Sequence, residues 1–127
     1  MRILLAVVLA AACGSSKEPA VAPIETAVTA PAETAAASCE LGDPSACFHL
    51  GELERGANAD DRAASAYARA CEIGHGRACA LAGAMYRIGM GVEAAPEQGQ
   101  RYFIRGCRLG HDDACELAQG RVPQPRP

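Results

Sequence analysis

The chain has 127 residues, seven of them cysteine, with no tryptophan, a single lysine and a formal net charge of −3. That composition excludes an ordinary cytosolic enzyme and fits a small exported domain held by disulfides. Without Arg2, 11 scattered basic residues stand against 15 acidic ones, a balance that offers no footprint for a polyanion and excludes a nucleic-acid partner.

In chain order, Met1 and Arg2 form a short positive start. Ile3 to Ala12 is an unbroken apolar run, well short of the roughly 20 residues needed to span a bilayer but right for the core of a signal peptide over 1–12. The residues Leu9, Ala10, Ala11, Ala12, Cys13, Gly14, Ser15 and Ser16 resemble the lipobox of bacterial lipoproteins, with Ala10 where a leucine is common. The resemblance implies that Cys13 carries diacylglycerol and becomes the mature N-terminus. The protein is then anchored in the bacterial cell envelope, on a membrane facing the periplasm or the exterior. An ordinary signal peptide cleaved after Ala12 is the alternative, and it gives a secreted protein. Setting Cys13 aside leaves six cysteines, an even number consistent with three pairs. Residues 13–36 are rich in alanine, proline, threonine and glutamate and poor in large apolar side chains. They read as a disordered tether with a reach of about 25 to 30 Å.

One nine-residue pattern then occurs three times: CELGDPSAC from Cys39 to Cys47, CEIGHGRAC from Cys71 to Cys79, and CRLGHDDAC from Cys107 to Cys115. Each unit reads as a helix end, a reversal on a left-handed glycine (Gly42, Gly74, Gly110) and a new helix start. Asp43 followed by Pro44 suits an N-cap and a first helical residue. The two cysteines of a unit then face each other across the reversal, so the expected bridges are Cys39 with Cys47, Cys71 with Cys79 and Cys107 with Cys115. Six cysteines allow fifteen pairings, and the threefold recurrence of one spacing selects the local one. Seven intervening residues suit a covalent staple better than a metal site, whose paired ligands usually stand two to four residues apart. No metal and no cofactor is expected.

The first cysteines recur after 32 and then 36 residues, a period that signals helix pairs. The pattern predicts helices over 45–55, 60–73, 77–88, 96–109 and 113–119, preceded by a half-repeat over 33–41. The folded domain spans 37–120 and is followed by a disordered proline-rich tail over 121–127. Ala63, Ala66, Tyr67 and Ala70 give an apolar helical stripe, and Gly51 and Gly83 allow close helix approach.

Several residues carry a family resemblance: Cys79, Ala82-Gly83, Met85-Tyr86, Gly89-Met90-Gly91-Val92, Tyr102-Phe103 and Cys107. They resemble the Sel-one-like repeat of the tetratricopeptide superfamily, and the paired cysteines resemble its bacterial cysteine-rich branch. The first repeat departs from the pattern, with Glu54 where Tyr86 stands and no Gly-x-Gly-Val turn. The resemblance implies an all-α fold, a short α-solenoid of antiparallel helix pairs stapled by disulfides. It also implies, as an alternative activity, β-lactam binding or weak β-lactamase activity.

The residues themselves argue against catalysis. A serine β-lactamase needs Ser-x-x-Lys, and the one lysine, Lys17, lies in the tether with Gly14 three residues before it. His49, His75 and His111 fall on three separate turns or helices, and the last two read as solvated polar turn positions. The reading that remains is a monomeric binding or scaffolding module for another envelope protein or peptide. Positions one, two, five and eight beyond the second cysteine should form its concave face. These are Phe48, His49, Glu52 and Arg55 in one helix, and Ala80, Leu81, Ala84 and Arg87 in the next. Phe48 and Leu81 are equally readable as core residues.

Overall fold

The computed structural model describes residues 30–127. The signal segment, Cys13 and the tether up to residue 29 lie outside the described residues. Six helices follow one another: α1 (Pro31–Glu40), α2 (Pro44–Gly56), α3 (Asp60–Glu72), α4 (Gly76–Ile88), α5 (Pro96–Arg108) and α6 (Asp112–Ala118). Each packs on its neighbour in sequence, and α3 also touches α5 while α4 touches α6. Alternate helices therefore form two layers, α1, α3 and α5 in one and α2, α4 and α6 in the other.

The three helix reversals are punctuated locally. Gly42, Gly74 and Gly110 hold φ of +91°, +112° and +86°, a conformation that ends α1, α3 and α5 without a Cβ penalty. At the next helix start, the Asp43 carboxylate accepts from the amides of Ser45 at 2.9 Å and Ala46 at 3.2 Å. His75 takes the same role in the second unit, its Nδ1 accepting from the Ala78 amide at 3.2 Å. His111 is the N-cap of α6 without a side-chain cap bond. Bridges join Cys39 to Cys47, Cys71 to Cys79 and Cys107 to Cys115 across these reversals, with Cα separations of 4.5, 4.5 and 4.4 Å. Closing a nine-residue loop lowers unfolded-state entropy by an amount worth about 2.5 kcal/mol per bridge in the chain-entropy account.

The core is small: among the described residues its large side chains are Tyr67, Tyr102, Phe103 and Met85, set among alanines and bridged cysteines. Such a core works by close approach rather than by bulk. Tyr67 and Phe103, both fully buried, stand four residues before the first cysteine of their unit. Each lies on a bare stretch of the preceding helix. A Cβ added at Gly51 would meet the Tyr67 ring at 2.6 Å, and one at Gly83 would meet the Phe103 ring at 2.5 Å. A second repeated device uses arginine two residues before the cysteine. Arg69 donates to the Glu40 carbonyl at 3.3 Å, and Arg105 donates to the Cys71 carbonyl at 3.0 Å and the Glu72 carbonyl at 2.5 Å. Both arginines satisfy carbonyls left open at the end of the preceding outer helix and complement its dipole.

Two boundaries differ from the sequence expectation. Residues 31–36, expected in the tether although 33–36 also fell within the expected half-repeat helix, belong to α1: Pro31 sits in its first turn with a preset φ, and the following alanines favour helix over coil. The tail over 121–127 has no regular secondary structure, yet it returns to the start of α6, where Arg126 pairs with Asp113 and lies 3.5 Å from Asp112.

Two measurements check this account. Gly83→Ala should lower stability by about 1 to 3 kcal/mol through overpacking against Phe103. Gly56→Ala, where a Cβ meets nothing within 4 Å, should cause no loss. Thermal denaturation reads both, and a Gly83→Ala domain as stable as the parent would contradict the ring-on-glycine packing.

The second concerns pH. Burial, then Arg77 and His111 nearby, hold the His75 imidazole below its ordinary value of 6.5. The unfolded chain therefore binds this proton first. The stability contribution is fully present above about pH 6.5 and is lost as pH falls toward the depressed folded value. His75→Asn, which caps without titrating, should flatten the denaturation midpoint between about pH 7 and pH 5. An unchanged slope in that variant would place the proton elsewhere.

Candidate functional site

The candidate face lies on α2 and α4, and most of its order comes from one aromatic and ionic cluster. Phe48 is half-buried and stacks on the His75 imidazole with ring centroids 4.4 Å apart and planes 8° from parallel. It also packs against Tyr67 at 5.9 Å in a tilted arrangement, and the Arg77 guanidinium lies 5.5 Å from its centroid. The Tyr67 hydroxyl donates to the Glu52 carboxylate, which also pairs with Arg55 at 3.3 Å. Arg55 in turn lies 6.0 Å from the Tyr67 ring centroid. Burial, reinforced by the Glu52 hydrogen bond, pushes the Tyr67 hydroxyl far above its usual range, so it remains a donor.

The structure thus joins three of the expected residues, Phe48, Glu52 and Arg55, through partners that the sequence reading did not assign to the face: Tyr67, His75 and Arg77. Phe48 and Leu81 are both partly buried and packed against the core, which places them between the two alternatives of exposed anchor and core residue. His49 and Arg87 are exposed, and Ala84 is partly buried. The Arg87 guanidinium lies 4.9 Å from the Phe103 centroid and repeats, one helix pair later, the relation of Arg55 to Tyr67. Ala80 is a correction. It is buried rather than on an open face, because its position corresponds to Phe48, which faces the following repeat, and α4 is covered there by α6. His75, expected as a solvated turn position, is instead partly buried by its stack and its cap bond.

What this arrangement can do chemically is bind. It presents guanidinium groups backed by aromatic rings, a geometry that leaves their N–H edges free for carboxylates or carbonyls. Arg77 and Arg87 make no ion pair among the described residues. No group of three histidine, cysteine, aspartate or glutamate side chains among the described residues is placed to hold a metal ion. The six cysteines of the domain are consumed in bridges. No described helix is long and apolar enough to cross a membrane.

Comparison with known proteins gives one line of relationship. No family model matches the chain, and no curated relative matches it. Among solved structures, it is similar to cysteine rich protein B of Helicobacter pylori. The two are 30% identical, with a TM-score of 0.63, over 68% of this chain and 68% of that one. The chain, all-helical and stapled by disulfides over its described residues, belongs to the family of this cysteine-rich bacterial protein.

Proposed function

We propose that the protein is a non-catalytic helical-repeat module of the Sel-one-like type, anchored in the bacterial envelope through Cys13, that binds an extended segment of another envelope protein. The observation that carries the reading is the Phe48 stack. A half-buried aromatic ring packs against His75 and Arg77 and is tied through Tyr67 to Glu52 and Arg55. Ordered aromatic and arginine side chains with one accessible edge are the usual anchors of protein interfaces, because little entropy remains to be lost on binding. Exposed His49 and Arg87 flank this core of the face. The repeat type is supported by the 32- and 36-residue periods and by the Gly-Met-Gly-Val turn at 89–92. The envelope location is supported by the apolar start and the small residues before Cys13, and by a set of bridges that needs an oxidising compartment.

A photo-crosslinking residue placed at position 49 or 87 in cells should capture one discrete partner in the membrane fraction. The same residue at position 65, on the outer face of α3, should not. Arg77→Gln should weaken capture without unfolding the domain, and Cys13→Ser should release the captured complex from the membrane. Equal capture from position 65, or turnover of a β-lactam by the purified oxidised domain, would contradict this function.

A further inference from the structure

The outer layer carries two grooves at equivalent places in the repeat, and their chemistry differs. The first has a volume of about 520 Å³ and lies beside α3, where Glu40, Glu54 and Asp61 outnumber Arg62 and Arg69. The second, of about 620 Å³, runs along α5, and its charges are Arg101, Arg105 and Arg108 against Glu72. Superposing the units on their first cysteines places each α5 residue 36 positions after its α3 counterpart. Arg69 and Arg105 then coincide, and both clamp the preceding helix end. Around this shared framework, Ser65 becomes Arg101, Ala68 becomes Ile104, Glu72 becomes Arg108 and Ile73 becomes Leu109. Of the α3 set only Ser65 lines the first groove, and Ala68 is buried, whereas Arg101, Ile104, Arg108 and Leu109 all line the second.

The second groove accordingly carries Arg101 and Arg108 on one face of α5, with Ile104 between their levels and Leu109 just beyond Arg108. Ile104 is 37% exposed and Leu109 44% exposed, beside the buried ring of Tyr102. Arg105 is committed to backbone carbonyls, but Arg101 bonds only Gln98, and neither Arg101 nor Arg108 has a carboxylate partner among the described residues. Seven residues separate them on α5, so they share a face and stand roughly 10 Å apart along the axis. That rise is nearest to the three-residue repeat of one extended backbone. Same-face side chains of a β-strand recur at about 7 Å and then about 13 Å. In a polyproline II helix they recur at about 9 Å, every third residue.

We propose that the α5 groove docks an extended acidic segment of another protein in the polyproline II conformation. Carboxylates three residues apart pair with Arg101 and Arg108, and an aliphatic side chain between them lies on Ile104. Bidentate guanidinium contacts give the segment its register, and the lack of a competing carboxylate on either arginine leaves both available. This surface is separate from the α2 and α4 face, and it does not depend on what that face binds.

The test uses the full-length oxidised protein and two fluorescein-labelled peptides, one containing Glu-Pro-Leu-Glu between prolines and one with both glutamates changed to glutamine. Fluorescence anisotropy should show saturable binding of the first. Binding of the glutamine peptide, and of the first peptide to the Arg101→Gln, Arg108→Gln double variant, should be at least about tenfold weaker. Both arginines are exposed, so the double variant should melt like the parent, and Arg121→Gln, at an exposed arginine that does not line the groove, should bind normally. Equal affinity for the two peptides, undiminished binding by the double variant, or no saturable binding would overturn the proposal. Self-association of the domain that disappears in the double variant would also overturn it, by assigning the groove to a second copy.

Discussion

A covalent bridge across each helix reversal is the constraint on which the rest of this structure depends. Its two cysteines stand eight positions apart in sequence, with Cα atoms 4.4 to 4.5 Å apart. That geometry leaves the chain little choice at the turn. A glycine adopts the left-handed conformation three residues after the first cysteine, and the N-cap residue of the next helix follows at once. The caps differ between units, with Asp43 and His75 both accepting backbone amides, and the reversal survives the exchange. With every reversal fixed, the orientation of each helix pair follows, and the small core has only to settle the distance between helices.

That distance is set by rings on glycines. Tyr67 on Gly51 and Phe103 on Gly83 bring helix backbones close enough for alanine to fill the remaining space, which explains how a domain with few large apolar side chains closes at all. The device stops at both ends of the domain. Ala35 holds the ring position in α1, and Gln119 holds the glycine position just beyond α6. A further copy stacked on either end would find neither a ring to insert nor a bare backbone to receive one. The terminal helices therefore close the array, as capping units do in longer repeat proteins.

The helix limits were legible because their causes are local. Glycine, proline and capping residues punctuate the sequence, and the expected spans agree with α2 to α6 within one residue at each end. The start of α1 was harder, since alanine, proline and threonine compose both a tether and a good first turn, and only the packing of Ala35 and Cys39 decides between them. The candidate face was legible in part. Helical offsets located Glu52 and Arg55, but they treated Ala80 as open because they ignored the helix that follows. Tyr67, His75 and Arg77 come from the next helix and the next turn, so the cluster they form with Phe48 is a tertiary fact. A signal was available. Tyr67 holds the same place before its cysteine as Phe103, and His75 holds the capping slot of Asp43, which points both residues at the preceding helix pair.

The central claim is that each cysteine pair spans its own reversal. Proteolysis of the oxidised protein without reduction, followed by mass spectrometry of the linked peptides, tests it directly. The account predicts three separate linkages, Cys39 to Cys47, Cys71 to Cys79 and Cys107 to Cys115. A linkage between units, such as Cys39 to Cys115, would contradict both the helix reversals and the array built on them.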